Sequence, residues 1–474
     1  MGELSARRRQ LVLVICCMSL FIFGIDVTIV NVALPSLQRN FHSSVSDMQW
    51  TIDAYTLVIA CLLMLSGSLA DRFGRRRVFQ IGLSVFSIAS LLCSIAPGLG
   101  WLVAFRGLQA VGGSMMNPVA LSIIVNTFTD KKERARAMGV WGSVFGLSLA
   151  LGPVIGGVLV SGIGWRSIFW INVPVGAAAI VLTQLYVPES KALRARRIDP
   201  FGQALVIVML ASLTYAIIEG RNRGWHSPLI LGLLVLSAVA VAALIAVELH
   251  RREPLIDVRF FRSAPFAGAT MTAVAAFAAL GSFLFLNTLY LQDIRHYSAF
   301  EAGVLTVPMA LMLFIFARVS GHLVGKHGPR RPLLLAGPPL VVGALLLARL
   351  TPHTSLVYLI VAYLIFGAGC GLVNAPISTT AMSGMPLDQS GVAGAVASTG
   401  RQVGSSLGVA VTGSIVAVGT GATFVSASHA AWIVVAGCGV AVCLVGLIST
   451  GEWAMGTASR NGVRIDEASR TSTR

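Results

Sequence analysis

The chain has 474 residues, of which 55% are hydrophobic and only 11% charged, with a formal net charge of +16 and a mean hydropathy of +0.81. A soluble domain carries about 25% charged residues, so this chain lacks the polar surface to face water. Its positive charge, clustered between apolar runs, reads as loop topology and excludes a nucleic-acid surface.

The apolar runs are about twenty residues long and continuous, as a membrane helix requires; an outer-membrane barrel would alternate over about ten. The pattern predicts an all-α polytopic membrane protein with fourteen helices. They fall at roughly 11–34, 48–70, 78–96, 101–125, 136–160, 167–187, 201–219, 228–249, 265–290, 301–324, 332–350, 354–379, 391–417 and 429–449. Helix 1 follows Arg7-Arg8-Arg9, continues to Leu34 with no small-residue cleavage site, and carries Asp26 in its middle. It reads as a retained helix, not a signal peptide. A charge near the bilayer centre costs about 2.5–3.5 kcal/mol on insertion scales, so Asp26 is expected either to take up protons or to tie two helices together. Helix 2 opens with Trp50-Thr-Ile-Asp-Ala-Tyr55. Asp53 is a second candidate acid, or an interfacial carboxylate beside a belt tryptophan. Helices 2 and 3 are joined by a basic, glycine-punctuated turn, Gly67-Ser-Leu-Ala-Asp-Arg-Phe-Gly-Arg-Arg-Arg77. In helix 4, Arg106 and Gln109 lie about one turn apart on one face. Helix 5 contains Gly152-Pro153, which removes a helix hydrogen bond and permits a kink; Gly156 and Gly157 then allow another backbone to approach. Arg318 and Arg401 are the basic residues expected at membrane depth in the second half. All seven cysteines fall inside apolar runs without metal-ligand spacing, so no metal site is expected.

Loop charge sets the orientation. With the N-terminus inside, segments 7–9, 72–77, 131–136, 191–197, 251–262 and 326–331 hold twenty-two Lys and Arg. The outer loops hold five, at Arg39, Arg166, Arg221, Arg223 and Arg295. Both termini are therefore expected in the cytoplasm. A repeat is also visible: with a spacing of 254, Gly67, Gly74 and Arg76 fall on Gly321, Gly328 and Arg330, while Asp71 falls on Gly325. This divides the chain into a six-helix half (1–188), an inserted pair of helices with its connections (189–264), a second six-helix half (265–449) and a polar, disordered tail (450–474). Two similar halves with a midplane site are a common plan of secondary transporters.

Several of these patterns together resemble the major facilitator superfamily, and within it the fourteen-helix drug:proton antiporters. Gly-x-Leu-x-Asp-Arg-x-Gly-Arg-Arg is similar to the family's loop signature, which implies a gating turn of Gly67, Asp71, Arg72, Gly74, Arg75 and Arg76. The run Gly24-Ile-Asp-Val-Thr-Ile-Val-Asn-Val-Ala-Leu-Pro35 resembles the first-helix motif, whose acid takes part in proton coupling. Leu102-Val-Ala-Phe-Arg-Gly-Leu-Gln-Ala-Val-Gly-Gly113 resembles the motif built around a membrane arginine, with Ala110 where Gly is common. Gly146-Leu-Ser-Leu-Ala-Leu-Gly-Pro-Val-Ile-Gly-Gly157 resembles the antiporter motif of Gly152, Pro153, Gly156 and Gly157, with Ser148 in place of Gly.

The resemblance implies a proton-coupled exporter of amphipathic drugs or antibiotics in the cytoplasmic membrane, working by alternating access. Asp26, Arg106 and Asp53 would couple protons, and Tyr55, Gln109 and Asn117 would face the substrate cavity. Expected partners are a small-molecule substrate, protons and membrane lipid, with no nucleic acid and a monomeric chain. No phosphate-binding loop, His-Glu-x-x-His or Gly-x-Ser-x-Gly is present, so an ion gradient with no cofactor, not catalysis, is expected to supply the energy. No acid lies well inside helices 9–14, where relatives that expel dications place one in helix 10. The alternatives are a proton-symporting importer of a small nutrient and a non-transporting membrane receptor on the same fold.

Overall fold

The computed structural model describes residues 5–191, 199–251, 258–383, 390–417, 422–458 and 460. Among them there is no strand. Helices α1 (Ala6–Phe41), α2 (Val45–Phe73), α3 (Arg75–Ser94), α4 (Leu99–Thr127), α5 (Lys131–Gly162), α6 (Ser167–Trp170) and α7 (Asn172–Tyr186) come first. The inserted pair is α8 (Pro200–Arg223) and α9 (Pro228–His250). Next come α10 (Ala264–Leu289), a π-helical turn at Tyr290–Ile294, α11 (Ala299–His327) and α12 (Arg330–Leu347). The chain continues through α13 (Leu356–Leu372), α14 (Asn374–Ala381), α15 (Ser390–Val416) and α16 (Ala422–Ser449).

Among the described residues, thirteen helical stretches are long and apolar enough to cross a membrane. The expected fourteenth is α15, 27 residues long but diluted by Gly, Ser, Arg401 and Gln402. Observed helices overrun the predicted spans, because polar ends continue the helix past the lipid. At 36 residues, α1 would reach about 54 Å, well beyond a hydrocarbon core of about 30 Å. Local signals set the ends. Ser44 and Asp47 form a reciprocal capping box on α2, and Asp130 accepts from the N–H groups of Lys132 and Glu133 at the start of α5. Predicted helix 6 is broken at Ile171 into α6 and α7, and predicted helix 12 at Val373 into α13 and α14.

The chain forms two compact units: residues 1–198 with 291–310, and residues 199–290 with 311–474. In the first, α1 packs on α5 and α7, and α4 lies between α2 and α3. A Cβ on Gly112 would come 2.6 Å from the Gly82 carbonyl, so only glycine lets α3 and α4 approach this closely. The second unit has matching pairings, α10 on α15 as α1 on α5, α12 on α13 as α3 on α4, and α12 on α16 as α3 on α7. The inserted pair belongs to this unit through α8 against α15. Asp199 caps α8 at the Gly202 N–H and pairs with Arg251 beyond α9, closing that hairpin.

One difference from the sequence reading lies in the tail. Residues 452–458 are helical, and Thr457 Oγ1 accepts from the Ala264 N–H at 3.0 Å, capping α10. Ala454 and Ala458 are buried there; spaced at i and i+4, they give this short polar segment one apolar face. Of the predicted inner segments, 192–197 and 252–257 lie outside the described residues, as do 461–474 of the tail.

Candidate proton-coupling site and inner turn

Asp26 lies midway along α1 and is fully buried. Three side chains donate to it. Arg106 Nη1 reaches Oδ2 at 2.6 Å, and Gln109 Nε2 and Asn172 Nδ2 reach Oδ1 at 2.9 and 3.0 Å. The one-turn spacing on α4 lets Arg106 and Gln109 act together, and Arg106 Nη1 also donates to Gln109 Oε1 at 2.8 Å. Arg106 Nε donates to the Thr51 carbonyl at 3.4 Å, and its guanidinium lies 4.0 Å from the centre of the Tyr55 ring. Asn172, at the α6–α7 break, is held by Ser90: Nδ2 donates to Ser90 Oγ, which donates to the Phe169 carbonyl. Both carboxylate oxygens of Asp26 thus meet donors, as burial in lipid demands. Removing one member of such an ion pair typically costs about 3–5 kcal/mol, because the other charge is stranded.

The expected residues sort unevenly around this centre. Arg106 and Gln109 bind Asp26 directly, and Tyr55 is fully buried beneath the guanidinium. Asn117 is half-buried, two turns further along α4. Asp53 is fully buried on α2 and accepts from Thr56 Oγ1 at 3.5 Å, whereas the donors that hold Asp26 come from α4 and α7. Sequence reasoning missed Asn172, Ser90 and Thr51. Asn172 sits in Trp165-Arg-Ser-Ile-Phe-Trp-Ile-Asn-Val-Pro, where an amide inside an apolar run was the available signal.

The α5 motif holds the helix that carries Asp26. Gly152 packs on Thr28, and a Cβ on Gly156 would come 2.7 Å from Ile29 Cγ1. One turn back, Gly24 faces Ser148; a Cβ there would come 2.9 Å from the Ser148 Cβ and closer still to its hydroxyl. Ser148 stands where a glycine was expected, and Gly24 across the contact supplies the room it takes. Gly157 faces the other way, where a Cβ would come 2.6 Å from Phe300 Cα at the start of α11. Pro153 lies against Gly303 on the same helix.

The turn between α2 and α3 is a single residue. Gly74 has φ +112°, and a Cβ there would come 2.7 Å from the Glu189 carboxyl carbon, so glycine is required twice over. Glu189, just past α7, accepts from the N–H groups of Arg76 and Arg77 at 3.1 and 3.3 Å. It thereby caps the positive end of α3, and it escaped notice in the sequence because it lies 113 residues away. Arg75 pairs with Asp71 across the turn at 2.9 Å, Arg76 donates to the Val187 carbonyl at 3.5 Å, and Arg72 is exposed over Phe73. A Cβ on Gly67 would meet nothing among the described residues.

Comparison with known proteins agrees with this architecture. Residues 16–409 match the Major Facilitator Superfamily. The chain is 37% identical over 417 residues to the multidrug resistance protein Stp of Mycobacterium tuberculosis, covering 88% of this chain and 78% of that one. It is 36% identical over 424 residues to the puromycin resistance protein pur8 of Streptomyces alboniger, covering 88% and 83%. It is 35% identical over 410 residues to the tetracenomycin C resistance and export protein of Streptomyces glaucescens, covering 85% and 74%. Among solved structures, a bacterial homologue of the human lysosomal transporter Spinster superposes with a TM-score of 0.64 at 18% identity, covering 97% of this chain and 99% of that one. The nucleoside transporter NupG gives 0.65 at 12%, covering 94% and 100%. The chain is thus an integral membrane protein whose relatives include multidrug and antibiotic resistance proteins, and it belongs to the major facilitator superfamily of transporters.

Proposed function

We propose that the protein exports amphipathic drugs or antibiotics from the cytoplasm in exchange for protons, by alternating access. The observation that carries this reading is the buried Asp26–Arg106–Gln109–Asn172 cluster. Protonation from outside neutralises Asp26 and frees α1 from Arg106; release of the proton inside restores the ion pair. Substrate taken from the cytoplasm or inner leaflet competes with the protonated state. Both termini lie in the cytoplasm, as the loop charges favour, and the monomer suffices. One proton crossing one pH unit and 100 mV releases about 3.7 kcal/mol, enough for a drug gradient of several hundredfold. Asp53 is a second proton acceptor on α2 in this reading.

The test uses inverted vesicles with the cytoplasmic face outward and an acidic lumen, and a panel of labelled amphipathic antibiotics that includes puromycin. Export predicts accumulation that collapses when an ionophore dissipates the gradient. Accumulation indifferent to the ionophore, or flux in the opposite direction, overturns the proposal.

The Asp71–Arg75 pair is partly exposed, and such a pair contributes about 0–1 kcal/mol to stability. We assign Asp71 a gating role on the inner turn. Asp71→Asn is expected to leave insertion and melting temperature nearly unchanged while slowing transport at least fivefold. A wild-type transport rate would remove the gate role.

A further inference from the structure

Arg401 lies eleven residues into α15, about 16 Å along the helix. Its Nη2 donates to Ser378 Oγ of α14 at 2.7 Å, and its guanidinium lies 5.8 Å from the Phe277 ring of α10. Its Nε is enclosed and meets no acceptor. Among the described residues no carboxylate lies within 4.0 Å. The backbone beneath it has no slack: a Cβ on Gly281 of α10 would come 2.7 Å from the Ser405 carbonyl of α15, and Gly404 and Gly408 rest directly on the α10 backbone.

The two other arginines at membrane depth are satisfied differently. Arg106 has Asp26, Gln109 and the Thr51 carbonyl. Arg318 is exposed and stacks on Phe314. Arg401 alone among these three has a rigid seat, an aromatic neighbour, one hydroxyl and, among the described residues, no counter-charge. A guanidinium presents five donors in a planar fork suited to a carboxylate or phosphate, and among the described residues one of them is used. An uncompensated charge at this depth is costly unless an anion completes it.

We propose that Arg401, with Ser378 and the Phe277 ring, forms the recognition site for the anionic group of an amphipathic ligand. That group is a carboxylate or phosphate carried next to an apolar or aromatic body. The site names a substrate class for the exporter and rests on that reading; its occupant is the exported molecule, not a lipid headgroup.

Equilibrium binding separates this idea from the transport reading, because it needs no gradient. Purified full-length protein in phosphatidylcholine nanodiscs is titrated with 1-pyrenebutyrate and with neutral 1-pyrenebutanol, and energy transfer from tryptophan is read. Arg401→Gln is expected to weaken pyrenebutyrate binding at least tenfold, Arg401→Lys to weaken it less because it keeps the charge but loses the planar fork, and pyrenebutanol to bind all three proteins within twofold. Equal pyrenebutyrate affinity in wild type and Arg401→Gln overturns the proposal. So does a parallel loss of pyrenebutanol binding, which would mark a structural role. Adding phosphatidylglycerol to the discs distinguishes the sources: if it lowers the wild-type affinity to that of Arg401→Gln, a lipid headgroup owns the site and the substrate assignment fails. A protein that binds as expected but shows no proton-driven flux keeps this site and loses only the exporter reading.

Discussion

Asp26→Asn is expected to abolish proton-driven efflux while the protein still inserts in the membrane. Asparagine keeps an acceptor for Gln109 and Asn172, which donate to Oδ1 at 2.9 and 3.0 Å, but it removes both the titrating proton and the charge opposite Arg106. The stranded guanidinium is expected to cost about 3–5 kcal/mol, so this variant should also melt earlier. A second change separates the two effects. In Asp26→Asn/Arg106→Gln no unpaired charge remains, so thermal stability should recover by a few kcal/mol while coupling stays lost. Drug flux and proton flux in proteoliposomes and melting in detergent are the measurements. Near-normal pH-driven efflux by either variant would remove Asp26 from the coupling role.

The second large effect concerns the contact that holds α1. Gly24→Ala places a methyl group into Ser148, where even the Cβ–Cβ distance would be 2.9 Å. Overpacking of this kind costs about 1–3 kcal/mol, and the displacement falls half a turn from Asp26. Transport is expected to drop at least tenfold. Ser148→Gly clears both clashing atoms, so the pair Gly24→Ala/Ser148→Gly should regain most of the wild-type rate and melting temperature. Because the two residues touch, their effects are expected to couple strongly and not to add. If Gly24→Ala alone transports normally, or if Ser148→Gly fails to rescue it, the packing account of the α5 motif is wrong.

Much of the site was legible before the fold was known, for identifiable reasons. Asp26 and Arg106 stood out because lipid makes any charge conspicuous: each is flanked by apolar residues that cannot solvate it. Gly74 was legible because two helices of opposite direction joined through a basic turn need a residue free to adopt positive φ. Asn172, Ser90 and Glu189 were not legible in the same way. An amide or hydroxyl is tolerated widely in membrane helices by bonding to its own backbone, and a carboxylate after a helix is ordinary. Their importance comes from meeting Asp26 or the start of α3 across long stretches of chain.

The sequence by itself determined the class, the succession of apolar spans, the repeat and which charges would be expensive to bury, since all of these follow from local hydropathy and spacing. It also showed that the second half has arginine at depth without an acid. Only the tertiary structure decided which partners those charges have: Asn172 and Gln109 for Asp26, Arg75 for Asp71, and Ser378 with an aromatic ring for Arg401. It decided as well that Gly24 makes room for Ser148 and that the inserted helices pack with the second unit. The physical reason is common to all of them. Hydropathy places a residue within the membrane, but a pairing energy depends on which side chains share a few ångströms, and that is set by helix faces brought together from distant parts of the chain.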